Sequence, residues 1–161
     1  MKLEEKVVNQ LTKLGLTITT AESCTGGMIG ATLVNVSGVS EVYHQGFITY
    51  ANEAKHKELG VKNKTLRKYG AVSRQTARQM AKGAARHAKA DVAVAVTGIA
   101  GPGGGTPEKP VGTVFIGCYV KGETKVKEFH FEGTRSEIRE LTVKNALAFV
   151  YRQITKPERE I

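Results

Sequence analysis

The sequence contains no tryptophan, two cysteines, four histidines and four prolines in 161 residues, and aromatics make up 6%. Two lone thiols, Cys24 and Cys118, cannot build a disulfide framework, and they fit a reducing compartment. The histidines His44, His56, His87 and His130 are scattered, with no H-x-x-H or C-x-x-C pairing, so neither a metal site nor a Ser-His-Asp triad is supported. Long apolar runs are missing, which excludes a transmembrane helix of the usual length. The amino terminus carries Glu4 and Glu5 where an export signal needs a basic lead and an apolar run. No cofactor, no metal and no membrane partner are expected, and the expected location is cytoplasmic.

What is present reads as one domain spanning 1–161, long enough to bury a core without a staple. Lys and Arg exceed Asp and Glu by 24 to 15, a formal net charge of +9. That balance favours anionic partners, but the basic residues are dispersed, and no basic–aromatic tract suggests a nucleic-acid surface.

Hydrophobic spacing predicts a helix over 3–14, a strand over 16–20 and a helix over 28–34. A strand over 46–50 precedes a helix over 51–59 with Asn52 as a cap, then a short helical piece over 64–69. Ser73 caps a helix reaching about His87, and the apolar run 92–96 reads as a strand buried on both faces. Residues 98–112 hold six of the 18 glycines and three of the four prolines, a long loop of the kind that carries function. Strands over 113–120 and 125–131 form a hairpin, Ser136 caps a last helix reaching about Arg152, and a polar tail begins at Thr155. The pattern is α/β, expected as three α/β/α layers around a mixed, mostly parallel sheet. Ligands of open α/β sheets sit beyond the carboxyl ends of strands. That rule brings Ser23–Gly27, Tyr50–Lys55 and Thr97–Gly105 into one cleft.

The turn Glu22-Ser23-Cys24-Thr25-Gly26-Gly27 offers hydroxyls and glycine amides to an anion, although it lacks the lysine of a P-loop. Gly98, Gly101 and their neighbours could cradle a ligand, with Thr97 or main-chain N–H groups facing a developing oxyanion. Lys55 is the one base within reach of the inferred cleft, provided burial removes its proton near neutral pH.

These segments together resemble the CinA C-terminal domain family, which includes stand-alone nicotinamide mononucleotide deamidases. The resemblance rests on Thr20–Gly27, Gly46–Tyr50, Asn52–Lys55, Gly70–Ser73, Thr97–Pro102 and Lys109–Val114, in the family's order. It implies a three-layer fold and hydrolysis of nicotinamide mononucleotide to nicotinate mononucleotide and ammonia through a serine–lysine pair. By that resemblance Ser40 is the nucleophile, Lys55 the base, Tyr50 and Thr97 supporting polar groups, and Arg135 the supporting arginine, with Arg139 close enough to compete. Ser23, Thr25, Gly26, Gly27, Gly98 and Gly101 would bind substrate, and Ser23 is the rival nucleophile. Departures from the family pattern fall at His44-Gln45 and Thr134. The longer members' amino-terminal domain is not seen, so the stand-alone form is expected.

The expected partner is a small pyridine mononucleotide. Nucleic acid is not expected, and homo-oligomerisation is left open. A binding or regulatory module linked to competence or DNA metabolism, or a hydrolase of a related amide, is the competing reading.

Overall fold

The computed structural model describes residues 1–156. Helix α1 (Leu3–Leu14) buries Val7, Val8 and Leu11 along one stripe and stops at Gly15, which adopts φ 68°. Strand β1 (Ile18–Glu22) leads through the Ser23–Gly27 turn into α2 (Met28–Leu33). A 3-10 turn (Val39–Glu41) precedes β2 (Tyr43–Ile48), followed by α3 (Asn52–Leu59) and α4 (Asn63–Tyr69). Helix α5 (Arg74–Ala88), strands β3 (Val92–Gly98), β4 (Thr113–Val120) and β5 (Glu123–His130), and helix α6 (Arg135–Thr155) complete the order.

The sheet runs β2-β1-β3-β4-β5. β1 pairs parallel with both β2 and β3, while β4 pairs antiparallel with β3 and β5. Four of the five strands therefore share one direction, and β4 alone opposes them. α1, α2 and α6 cover one face around Leu11, Ile29, Ile116 and Phe149. α5 covers the other, packing Met80, Ala81 and Ala84 on Ala93 and Ala95. Alanine on both sides brings α5 close to the sheet. Gly83 lets α5 meet α3 as well, since a Cβ there would lie 1.8 Å from the Leu59 carbonyl oxygen.

The structure corrects several expected boundaries. β1 begins two residues later than 16–20 and extends to Glu22, a residue type depleted in strands. Glu22 is admitted because its buried carboxylate is hydrogen-bonded, as described below. β2 begins at Tyr43 and ends at Ile48, shifted from 46–50; as an edge strand it is exposed at His44, Gln45 and Gly46 and shows no alternation. Ser73 caps α5, its Oγ accepting from Thr76 N at 3.2 Å. Asn52 is the first residue of α3 and Ala51 occupies the cap. Ser136 lies inside α6; Thr134 caps it, in a reciprocal box with Glu137. A threonine at this departure from the family pattern thus serves the same purpose as any short capping side chain. β5 begins at Glu123, inside the expected turn. Beyond Lys156 the polar tail lies outside the described residues.

Candidate active site

The carboxyl ends of β1, β2 and β3 lie side by side because these three strands are parallel neighbours. Beyond them opens a cleft of about 270 Å³, lined by Ser23, Tyr50, Lys55, Thr97, Gly101 and Arg135 among others. The three segments singled out from sequence do converge, and the first turn of α6 supplies the remaining wall.

Lys55 is 1% exposed, among the largest fully buried side chains of the described residues. It sits in the first turn of α3 and reaches back towards the strand ends. Its Nζ lies 2.9 Å from Ser23 Oγ, 2.9 Å from the Thr49 carbonyl and 2.9 Å from the Tyr50 carbonyl. An ammonium can donate to all three. A neutral amine keeps two N–H bonds for the carbonyls and turns its lone pair on the third neighbour, Ser23 Oγ. No carboxylate approaches Nζ among the described residues, so burial acts nearly unopposed and brings the pKa down from 10.5 to about 8. Burial of Cys24 pushes its thiol up to about 11, which keeps it protonated and inert beside the serine.

The Ser23 turn is fixed from behind. Glu22 Oε1 accepts from Thr25 Oγ1 at 2.6 Å and from Ile29 N at 2.8 Å, and Oε2 accepts from Gly30 N at 3.0 Å. The carboxylate thereby occupies the positive end of α2 and shields it. Gly27, at φ 106°, makes the sharp entry to that helix. Arg139 clamps the turn from α6, donating from Nε to the Cys24 carbonyl at 2.9 Å and from an Nη to the Thr25 carbonyl at 3.2 Å. Arg135, one turn earlier, faces the cleft and donates to the Gly101 carbonyl at 2.8 Å and to Tyr50 Oη at 3.1 Å. The two arginines are therefore separated by role.

Several expected assignments need correction. Ser40 is exposed on the 3-10 turn before β2, whereas Lys55 follows its other end. The five steps of about 3.3 Å along β2 hold its two ends roughly 16 Å apart, so Ser40 cannot give its proton to Lys55. The hydroxyl that meets the amine belongs to Ser23. Thr25 is fully buried and bonded to Glu22, and neither it nor Gly26 or Gly27 lines the cleft. They shape the turn. Thr97 lines the cleft, yet its one hydroxyl proton goes to the Ala71 carbonyl at 2.9 Å. Main-chain donors remain open beside it: among the described residues, the N–H groups of Ala100, Gly101, Gly103 and Gly104 donate to no protein acceptor. Tyr50 contacts Lys55 through its carbonyl, while its phenol serves Arg135. Sequence reasoning missed Glu22 and the Lys55 carbonyl cage. An acid within a β-branched strand is the signal that could have exposed the first.

None of the four histidines lies in the cleft, and no cluster of three metal-binding side chains occurs among the described residues. No helix there is long and apolar enough to cross a membrane.

A three-layer α/β/α sheet with a buried serine–lysine pair at its parallel strand ends defines a class of site. Within that class the chain belongs to the CinA C-terminal domain family, which it matches over residues 1–154. It is 57% identical over 152 residues to a CinA-like protein of Kosmotoga olearia, covering 94% of this chain. It spans 37% of the length of that relative. Its fold matches the crystal structure of the competence/damage inducible protein CihA from Agrobacterium tumefaciens with TM-score 0.92 and 47% identity, covering 96% of this chain and 94% of that one. A CinA superfamily protein from Enterobacter cloacae gives TM-score 0.92 at 35% identity, covering 95% and 90%.

Proposed function

We infer that the chain is an amidohydrolase that converts nicotinamide mononucleotide to nicotinate mononucleotide and ammonia, with Ser23 as nucleophile and Lys55 as base. The observation that carries this reading is the 2.9 Å approach of a desolvated Lys55 amine to Ser23 Oγ. The substrate class comes from the family resemblance, and a cleft holding Arg135 suits an anionic mononucleotide.

The neutral amine takes the Ser23 proton as Oγ bonds to the carboxamide carbon. The resulting oxyanion is met by N–H groups of the Ala100–Gly104 loop. The Lys55 ammonium returns the proton to the amide nitrogen as the C–N bond breaks, releasing ammonia and leaving an acyl ester on Ser23. A water molecule gives its proton to Lys55 and attacks that ester. The C–Oγ bond breaks, and the proton passes back to Ser23. The Thr49 and Tyr50 carbonyls hold Nζ in place through both half-reactions.

Ammonia release from nicotinamide mononucleotide by wild type, Ser23→Ala, Lys55→Ala and Ser40→Ala tests the reading. Activity lost in the first two variants and kept in the third is expected. No release from folded wild type would overturn the substrate assignment.

A further inference from the structure

Far from the cleft, a second cavity of about 500 Å³ opens where β5, the end of α6 and α5 meet. Arg78 of α5, Lys125 and Lys127 of β5 and Arg152 of α6 all line it, and no aspartate or glutamate does among the described residues. With Lys156 at the end of α6 they make five like charges in one concavity, which repel one another, and no carboxylate lines the wall among the described residues. Lys125 has a carboxylate nearby, Glu123 at 3.6 Å on the rim of the strand. Lys127 is held over the Phe149 ring, 5.4 Å from its centroid. Arg78 is anchored by donating to the Thr124 carbonyl at 2.8 Å.

We propose that this cavity binds a compact polyphosphate group. Five cations around one cavity match several linked negative charges better than one, and the concave shape suits a small ligand better than an extended strand of nucleic acid. The site is separate from the catalytic one. Arg135 and Arg152 stand at opposite ends of α6, about 25 Å apart at 1.5 Å per residue. The proposal does not rest on the amidohydrolase reading. The shared chemistry is the phosphate chain, whether free or borne by a nucleoside.

Calorimetric titration at constant salt with tripolyphosphate, adenosine triphosphate, inorganic phosphate and a short single-stranded oligonucleotide tests it. Tripolyphosphate is expected to bind at least about tenfold tighter than inorganic phosphate. Lys127→Gln with Arg152→Gln should weaken it by about tenfold or more, while the control pair Lys57→Gln with Lys64→Gln, on α3 and α4, changes it little. Both double variants alter exposed residues, and circular dichroism checks that they remain folded. Equal affinity for adenosine triphosphate assigns a nucleoside polyphosphate; a much weaker one assigns a free phosphate chain. No tripolyphosphate binding by wild type, or equal loss in both double variants, overturns the proposal. Oligonucleotide binding that depends on Lys127 and Arg152, with tripolyphosphate binding indifferent to them, overturns it in favour of nucleic acid.

Discussion

Lys55 Nζ and Ser23 Oγ, 32 residues apart in the chain, meet at 2.9 Å inside a protein that excludes water from the amine. The strand ends bring them together: Ser23 directly follows β1, and Lys55 lies in the first turn of the helix that follows its parallel neighbour β2. Both carbonyls that hold the amine come from the short link between β2 and α3.

Ser23→Ala should reduce ammonia release by about a thousandfold or more, as loss of an activated nucleophile does in other serine hydrolases. Ser40→Ala should retain wild-type turnover, since that side chain is exposed at the opposite end of β2. Steady-state kinetics of the two folded variants, measured together, checks this. Full activity in Ser23→Ala would remove the nucleophile assignment.

Activity should rise with pH through a midpoint of about 8, where Lys55 loses its proton. At lower pH the ammonium has no lone pair to accept from Ser23. A kcat/KM profile that is flat between pH 6 and pH 9 would contradict this role.

The same group makes stability depend on pH. Below about 8 Lys55 is protonated in both folded and unfolded chains, and its burial opposes folding. Between about 8 and its ordinary value of 10.5, only the unfolded chain holds the proton. Raising the pH across that window therefore removes the opposition, and the folded state gains about 1.4 kcal/mol per pH unit. Denaturant melts of wild type and Lys55→Met at pH 8 and pH 10 should show the wild type gaining on the variant. An unchanged difference would mean that the amine keeps its ordinary affinity for protons.

Glu22→Gln should lower kcat without moving the pH midpoint. The amide oxygen can keep Thr25 and Ile29 as donors, but its NH₂ group then faces the N–H of Gly30, where the carboxylate accepts. A cost of about 1–3 kcal/mol in stability is expected for a misfitted buried polar group. Paired melts and pH–rate profiles check both parts.

Thr97→Val should destabilise the protein by about 1–3 kcal/mol, because it leaves the Ala71 carbonyl without its partner. Its effect on the rate should be smaller than that of Ser23→Ala, since the hydroxyl proton is already committed. A thousandfold rate loss with unchanged stability would restore Thr97 as an oxyanion donor.

The sequence by itself determined the α/β order, the buried β3, the amphipathic α1 and α5, and the three strand ends that meet in the cleft. Those features are written in local periodicity: β3 is apolar at every position from 92 to 96, and the helices repeat their apolar residues every three or four. It also marked Lys55 as a candidate base and both serines as candidate nucleophiles. The choice between the serines lay beyond it, because Ser40 is nearer to Lys55 along the chain and Ser23 is nearer in space. A parallel pairing carries the chain from Ser40 away along β2 and sets Lys55 beside the end of β1. Nor could residues 52–59, a polar helix with no clear apolar stripe, reveal that one lysine is wholly buried. Burial is a property of what surrounds a side chain, and so it was the tertiary structure that decided which serine meets Lys55 and lowered the proton affinity of that lysine.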